Sequence, residues 1–257
     1  MKKIITILLI GALGSALLLA GCGNKNTGTD QPEVPDASAA SEPESNPGGM
    51  ILGGWTVSAD AASTLTDEEK ETLEKALEGL VGATYEPVAI LATQLVAGTN
   101  YAYLCTTTPV VPDAVPHWTV AVVYKDLQGN VSLTNVADLD LADVKILEQT
   151  DTSEAVGAWA ITEPSGKAVM LPSEEAQAAF DKAAEAYVGV SFQPIALLGT
   201  QIVAGTNYKI LCYGTPSTSD PFTSLYVIDV YADLQGNAEI TNADQLDLLA
   251  YVTPPIE

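Results

Sequence analysis

The chain has 257 residues, with 33 acidic and 10 basic side chains and a formal net charge of −23. It contains no arginine. An acidic surface without guanidinium groups repels phosphates and cannot read them bidentately, which excludes nucleic acid as a partner. One histidine and three cysteines leave little material for an acid–base, thiol or metal site, so no catalytic group, metal or cofactor is expected.

Met1-Lys2-Lys3 followed by an apolar run from Ile4 to Ala20 reads as a signal peptide over residues 1–21. It ends Leu18-Leu19-Ala20-Gly21-Cys22, which resembles a bacterial lipobox. That resemblance implies cleavage before Cys22, a lipid on its thiol, and a chain held at the extracytoplasmic face of the cell membrane. The alternative, an uncleaved anchor, is disfavoured because the apolar run is near the lower limit for a spanning helix. Residues 22–50 are rich in Asn, Asp, Pro, Ser and Ala. They cannot bury enough apolar surface to offset their ordering entropy, and read as a disordered tether.

Two units follow, at 51–148 and 155–257, separated near 149–154 by a short polar linker that predicts neighbouring but not rigidly fixed domains. Ile51-Leu52-Gly53-Gly54-Trp55 opens the first and Ala155-Val156-Gly157-Ala158-Trp159 the second. Each tryptophan is read as the core anchor of a first strand. Thr66-Asp67-Glu68-Glu69 has the capping-box pattern, and Leu73, Ala76, Leu77, Leu80 and Val81 form one helical stripe. In the second unit Ser173 caps, and the stripe is Phe180, Ala183, Ala184, Tyr187 and Val188, the same positions displaced by 107. Strand patterns come next. Tyr101, Tyr103 and Cys105 alternate with Ala102 and Leu104, and Trp118–Tyr124 is a further strand. A turn at Asp126-Leu127-Gln128-Gly129-Asn130 recurs as Asp233-Leu234-Gln235-Gly236-Asn237. Strand, helix and four antiparallel strands make each unit a small α+β domain.

Between the second and third strands of each unit lies the clearest repeat. Gln94-Leu95-Val96-Ala97-Gly98-Thr99-Asn100-Tyr101 returns as Gln201-Ile202-Val203-Ala204-Gly205-Thr206-Asn207-Tyr208. The octamer resembles the Q-x-V-x-G signature of the cystatin/stefin family, inhibitors of papain-like cysteine proteases, and continues into T-N-Y as the stefin form does. The resemblance implies two tandem cystatin-like domains, each a helix wrapped by a 4–5-stranded antiparallel sheet. It also implies a three-part wedge that fills a protease cleft. In the first unit that wedge is the trunk Leu52, Gly53 and Gly54, the loop Gln94, Leu95, Val96, Ala97 and Gly98, and a second loop at Leu127. In the second it is Val156, Gly157 and Ala158, then Gln201, Ile202, Val203, Ala204 and Gly205, then Leu234. Two departures predict weaker binding: the second loop has Leu-Gln where stefins have Leu-Pro, and Ala158 stands where a second trunk glycine would be.

His117 has no counterpart in the second unit, where Ser224 stands, which argues against a hydrolytic site. Cys105 and Cys212 are repeat-equivalent strand positions and read as buried free thiols rather than a disulfide. The run Asp138–Asp143 could suggest calcium, but its alternation with leucines favours the wet face of a strand. The sequence thus points to a lipid-anchored, non-enzymatic inhibitor of a papain-like cysteine protease from a host, a competitor or the cell itself. The alternative is a non-inhibitory adhesion or protein-interaction module.

Overall fold

A computed structural model of the chain describes residues 54–57, 65–141, 159–161, 171 and 173–253. The predicted signal peptide, Cys22, the tether and the boundary at 149–154 lie outside the described residues, as do Leu52, Gly53, Val156, Gly157 and Ala158.

Thr66 starts the first helix as its capping box predicts. Its Oγ1 accepts from the Glu69 amide at 3.2 Å, and Glu69 Oε2 accepts from the Thr66 amide at 2.7 Å. Helix α1 (Asp67–Ala76) and its counterpart α2 (Glu174–Ala186) both stop short of the apolar stripes read from the sequence. After α1, Gly79 takes φ +83° and turns the chain out of the helix, whereas α2 ends where Tyr187 becomes extended, at φ −82° and ψ 133°. Val81 and Val188 are left 89% and 88% exposed.

The strands form two antiparallel sheets. In the first half, β1 (Trp55–Thr56), β2 (Ala83–Val96), β3 (Gly98–Pro109), β4 (His117–Asp126) and β5 (Val131–Asp138) lie side by side in chain order. In the second half, β6 (Trp159–Ile161), β7 (Val190–Val203), β8 (Gly205–Pro216), β9 (Ser224–Ala232) and β10 (Ala238–Gln245) do the same, and the one-turn helix α3 (Leu249–Val252) follows.

This architecture corrects the expectation of two α+β domains with a helix wrapped by each sheet. Among the described residues the structure is mostly β, with two curled five-stranded sheets and only small helices. The physical reason is that the central strands are buried on both faces. Along β3, Tyr103 and Cys105 face a cluster that includes Leu73 of α1, whereas Ala102 and Leu104 face the opposite way. Along β4, Ala121 and Val123 lie on the helix side, and Trp118, Val120 and Val122 on the other. That second face does not meet water. It packs into one cluster with Ile195, Leu198, Leu211, Tyr213 and Leu225 of the other half. Each helix therefore covers only one face of its sheet, while the other face is covered by the second sheet.

Polar groups cross this dry seam where the ladders are interrupted. Strand β7 has a bulge at Leu198, since Leu197 and Gly199 pair with the successive residues Ile210 and Lys209. The Leu198 carbonyl accepts from Trp118 Nε1 at 2.9 Å. In β2 the corresponding bulge falls at Leu91, and the adjacent Ile90 carbonyl accepts from the Tyr213 hydroxyl at 2.8 Å. Asn135 Nδ2 donates to the Tyr251 carbonyl of α3 at 2.6 Å, so the C-terminal turn is held by the first half. Among the described residues every buried side-chain nitrogen or oxygen has a partner.

Replacing Trp118 by Phe strands a buried carbonyl and trims the seam. It should cost about 1–3 kcal/mol in urea unfolding. Because one cluster spans both halves, probes in either half should report the same shifted midpoint; separate midpoints would show that the seam contributes little.

Candidate protein-binding rim

The octamer forms the tightest hairpin of each half. Val96 pairs with Gly98, which leaves Ala97 alone at the tip, and Gln94 pairs with Asn100. Asn100 Nδ2 donates to Gln94 Oε1 at 2.6 Å, and Asn207 repeats the bond to Gln201 at 2.6 Å. The Gln and Asn of the motif thus clamp the neck of the hairpin. Gly98 has φ +135° and is buried. A Cβ there would collide with the Lys125 carbonyl and come within 2.8 Å of Tyr124 Cε2. Gly205 is held in the same way, at φ +134°, with Ala232 O and Tyr231 as the neighbours. The motif glycine is therefore required by the hairpin's own packing against the next strand.

Register places the two hairpins at one end of the sheet, beside the start of its first strand. Trp55 pairs with Gln94, which brings Gly54 beside the first hairpin. Gly98 pairs with Asp126, the residue before the second turn. In the second half Trp159 pairs with Gln201 and Thr206 with Ala232, so the two hairpins and the start of β6 lie together there as well. At these ends Leu95, Val96, Ala97, Ile202, Val203 and Ala204 are exposed. Leu127 and Leu234 are 78% and 79% exposed. Of the trunks, only Gly54, half-buried, is among the described residues.

The second turn is self-supporting. Asp126 Oδ1 accepts from the Gln128 and Asn130 amides at 2.8 Å each, and Oδ2 accepts from Asn130 Nδ2 at 2.7 Å. Asp233 repeats the pattern with Gln235 and Asn237. Hydrogen bonds from the Asn130 side chain, and from the Asn237 side chain in the second half, hold both carboxyls below their ordinary value of 3.8. Lys125 Nζ of β4 donates to Glu68 Oε1 of α1 at 2.8 Å, and Lys182 Nζ of α2 donates to the Gly236 carbonyl at 2.7 Å.

Cys105 and Cys212 are buried free thiols in separate clusters, each facing the helix of its own half. Burial pushes the Cys105 thiol up to about 12 and raises Cys212 as well. Both are therefore inert as nucleophiles. His117 Nε2 lies 3.2 Å from Asp138 Oδ1, and Leu139 points into the seam between Asp138 and Asp140, which are exposed. Among the described residues no group of three or more His, Cys, Asp or Glu is placed to hold a metal ion, and no helix is long and apolar enough to cross a membrane.

One cluster was not read from the sequence. Lys209 is buried, 2.6 Å from Asp229 Oδ1, and its ammonium lies 5.0 Å from the centroid of the Trp159 ring. The signal was present: the first repeat has Ala102 and Val122 at these positions, so aligning the two repeats exposes an ion pair inside a strand pattern.

No family model matches the chain, and no curated protein matches it. The functional reading therefore rests on the rims.

Gly98→Ala and Gly129→Ala separate two costs. Both residues have positive φ, but a Cβ at 129 meets open space. The change at 129 should cost about 1 kcal/mol from backbone strain alone, and the change at 98 at least about 2 kcal/mol, read by denaturant unfolding. Equal losses would show that the Lys125 and Tyr124 contacts do not select glycine. A pH titration tests the second turn. Since the folded carboxyl of Asp126 is depressed, its stabilisation is complete above 3.8 and is lost as pH falls through the lower folded value. The Gln128 and Asn130 amide shifts should titrate with a midpoint below 3.8, and not at all in Asp126→Asn; a midpoint at or above 3.8 contradicts the turn geometry.

Proposed function

We propose that the protein is a reversible inhibitor of papain-like cysteine proteases, displayed at the cell surface through lipid on Cys22, with one wedge on each half. The observation that carries this reading is the rim. At one end of each sheet the octamer tip, which carries no charged side chain, stands beside the second turn, and the leucine, isoleucine and valine side chains of the two hairpins face solvent. The octamer tips enter an apolar cleft without desolvating a charge. They cover the enzyme's thiol without presenting a peptide bond to it, so no catalytic group is required of this chain. Kinship with the cystatin/stefin family belongs to the same proposal and rests on the doubled octamer. The target is a host enzyme, a competitor's enzyme or the cell's own.

A second reading, a non-inhibitory adhesion or interaction module, has one observation in its favour. Gln94, Asn100 and Gly98 all have reasons internal to the hairpin, so the motif serves folding whether or not a protease binds. That reading expects partner binding to survive replacement of Val96 and Gly98.

Titrating the chain lacking residues 1–22 against papain decides between them. The inhibitor reading expects inhibition with a stoichiometry of one or two enzymes per chain. Val96→Asp with Val203→Asp should weaken it by about tenfold or more, because each places a charge in an apolar cleft. Absence of inhibition at high micromolar concentration rejects the reading, and capture on thiol-blocked papain separates binding from inhibition.

A further inference from the structure

The rim carries a second recurring feature, outside the motif and outside the predicted binding residues. Tyr124, near the end of β4, sends its hydroxyl across β3 to the carbonyl of Ala97, the tip residue, at 2.6 Å. Tyr231, the equivalent residue of β9, does the same to Ala204 at 2.6 Å. Each ring runs along the Cα of the motif glycine, in the space that a Cβ at 98 or 205 would fill. In sequence these tyrosines read only as the last apolar members of strand patterns.

We infer that Tyr124 and Tyr231 are positioning residues of the two rims: each hydroxyl pins the carbonyl of a hairpin tip to the sheet and fixes the direction in which the exposed tip side chains are presented. The backbone of Tyr124 is paired on both sides, to Asn100 on β3 and to Ser132 on β5, so the phenol is held from the interior of the sheet. The tip has no comparable support of its own. Only Ala97 lies beyond the Val96–Gly98 pair, and its carbonyl belongs to no pairing in the strand register. Rocking the tip relative to the sheet requires breaking the tyrosine bond. Glycine and tyrosine thus act as one device: the missing side chain opens the path along which the ring reaches the tip. A tip ordered before binding loses less freedom on binding, and a partner that reads Leu95 and Val96 gains affinity without a new contact. The consequence for affinity rests on the inhibitor reading above; the consequence for tip order does not.

Tyr124→Phe and Tyr231→Phe remove the donor and keep the ring. In the full chain held in detergent micelles, the backbone order parameters of Ala97, Gly98, Ala204 and Gly205 should fall from about 0.85 towards 0.6, with the thermal midpoint lowered by only a few degrees. Against papain, the doubly substituted chain should show an inhibition constant raised about fivefold, the scale of one hydrogen bond per tip, carried by faster dissociation. Tips that stay ordered in the phenylalanine variants overturn the inference. Lower order with an unchanged inhibition constant, in a chain that does inhibit, overturns the role in presentation. Lower order in a chain that does not inhibit papain even when unsubstituted sustains the brace and discards the inhibitor reading.

Discussion

The packing of one sheet against the other is the constraint from which the rest follows. Leu104, Val120, Leu198, Leu211 and Leu225 are fully or almost fully buried in a single cluster drawn from both halves. Burying an aliphatic side chain of this size contributes about 1.5–3 kcal/mol relative to leaving it wet. A separated half would expose a continuous apolar face, which monomeric soluble domains seldom do. Directional bonds then fix how the faces meet. Trp118 and Tyr213 each donate to a carbonyl at or beside a bulge of the opposite sheet, so the donor is satisfied only in one arrangement. The apolar area supplies the driving force, and these two bonds supply specificity.

The seam also explains how the rims come to be exposed. Because both faces of β3, β4, β8 and β9 are used for packing, the sheet has only its edges and ends left for another molecule. The hairpin tips at Val96–Gly98 and Val203–Gly205 lie at such ends, beyond the last core residues of their strands. Strands fixed on two faces make firm supports, and the order of the tips then depends on the last few bonds: the Gln–Asn clamp, the tyrosine hydroxyl and the carboxylate-centred turn. Features that look like surface decoration in the sequence are the termini of a core that runs through the molecule.

Much of this was legible in the residues, because local chemistry decided it. The capping box at Thr66, the turn at Asp126–Asn130, the alternation through β3 and the buried thiols all follow from short-range patterns. The helix ends differ from the pattern because apolar residues at helical spacing continue past Gly79, whose positive φ ends α1, and into Tyr187 and Val188, where the chain is already extended at Tyr187. The fold class was misread for a different reason. Trp118–Tyr124 is apolar at almost every position, the pattern of a strand buried on both faces. Read as an ordinary half-wet strand, it hides the partner sheet. Alternation distinguishes two faces only when one of them is polar. Which surface covers the second face is a tertiary fact, and here it is supplied by a segment about 100 residues away. The Lys209–Asp229 pair shows only where the two repeats differ, at the positions of Ala102 and Val122 in the first, and neither strand pattern alone reveals it.

That pair bears on which parts of the molecule set the rim. In the second half a row of register partners runs Asp229, Lys209, Gly199, Ile161, with the Trp159 ring close to Gly199. In the first half the equivalent row is Val122, Ala102, Ala92, wholly apolar. One trunk tryptophan is thus met by a buried cation and the other packs against a hydrocarbon surface. A buried ion pair is weak evidence for stability, since desolvation opposes the Coulombic gain. Yet the hairpin above each row has the same register, nearly the same glycine φ and the same tyrosine bond at 2.6 Å. Rims that agree so closely over supports that differ in charge do not depend on the row beneath the trunk. Their geometry is set by what the halves share: the neck clamp, the glycine with its tyrosine, and the self-closing turn.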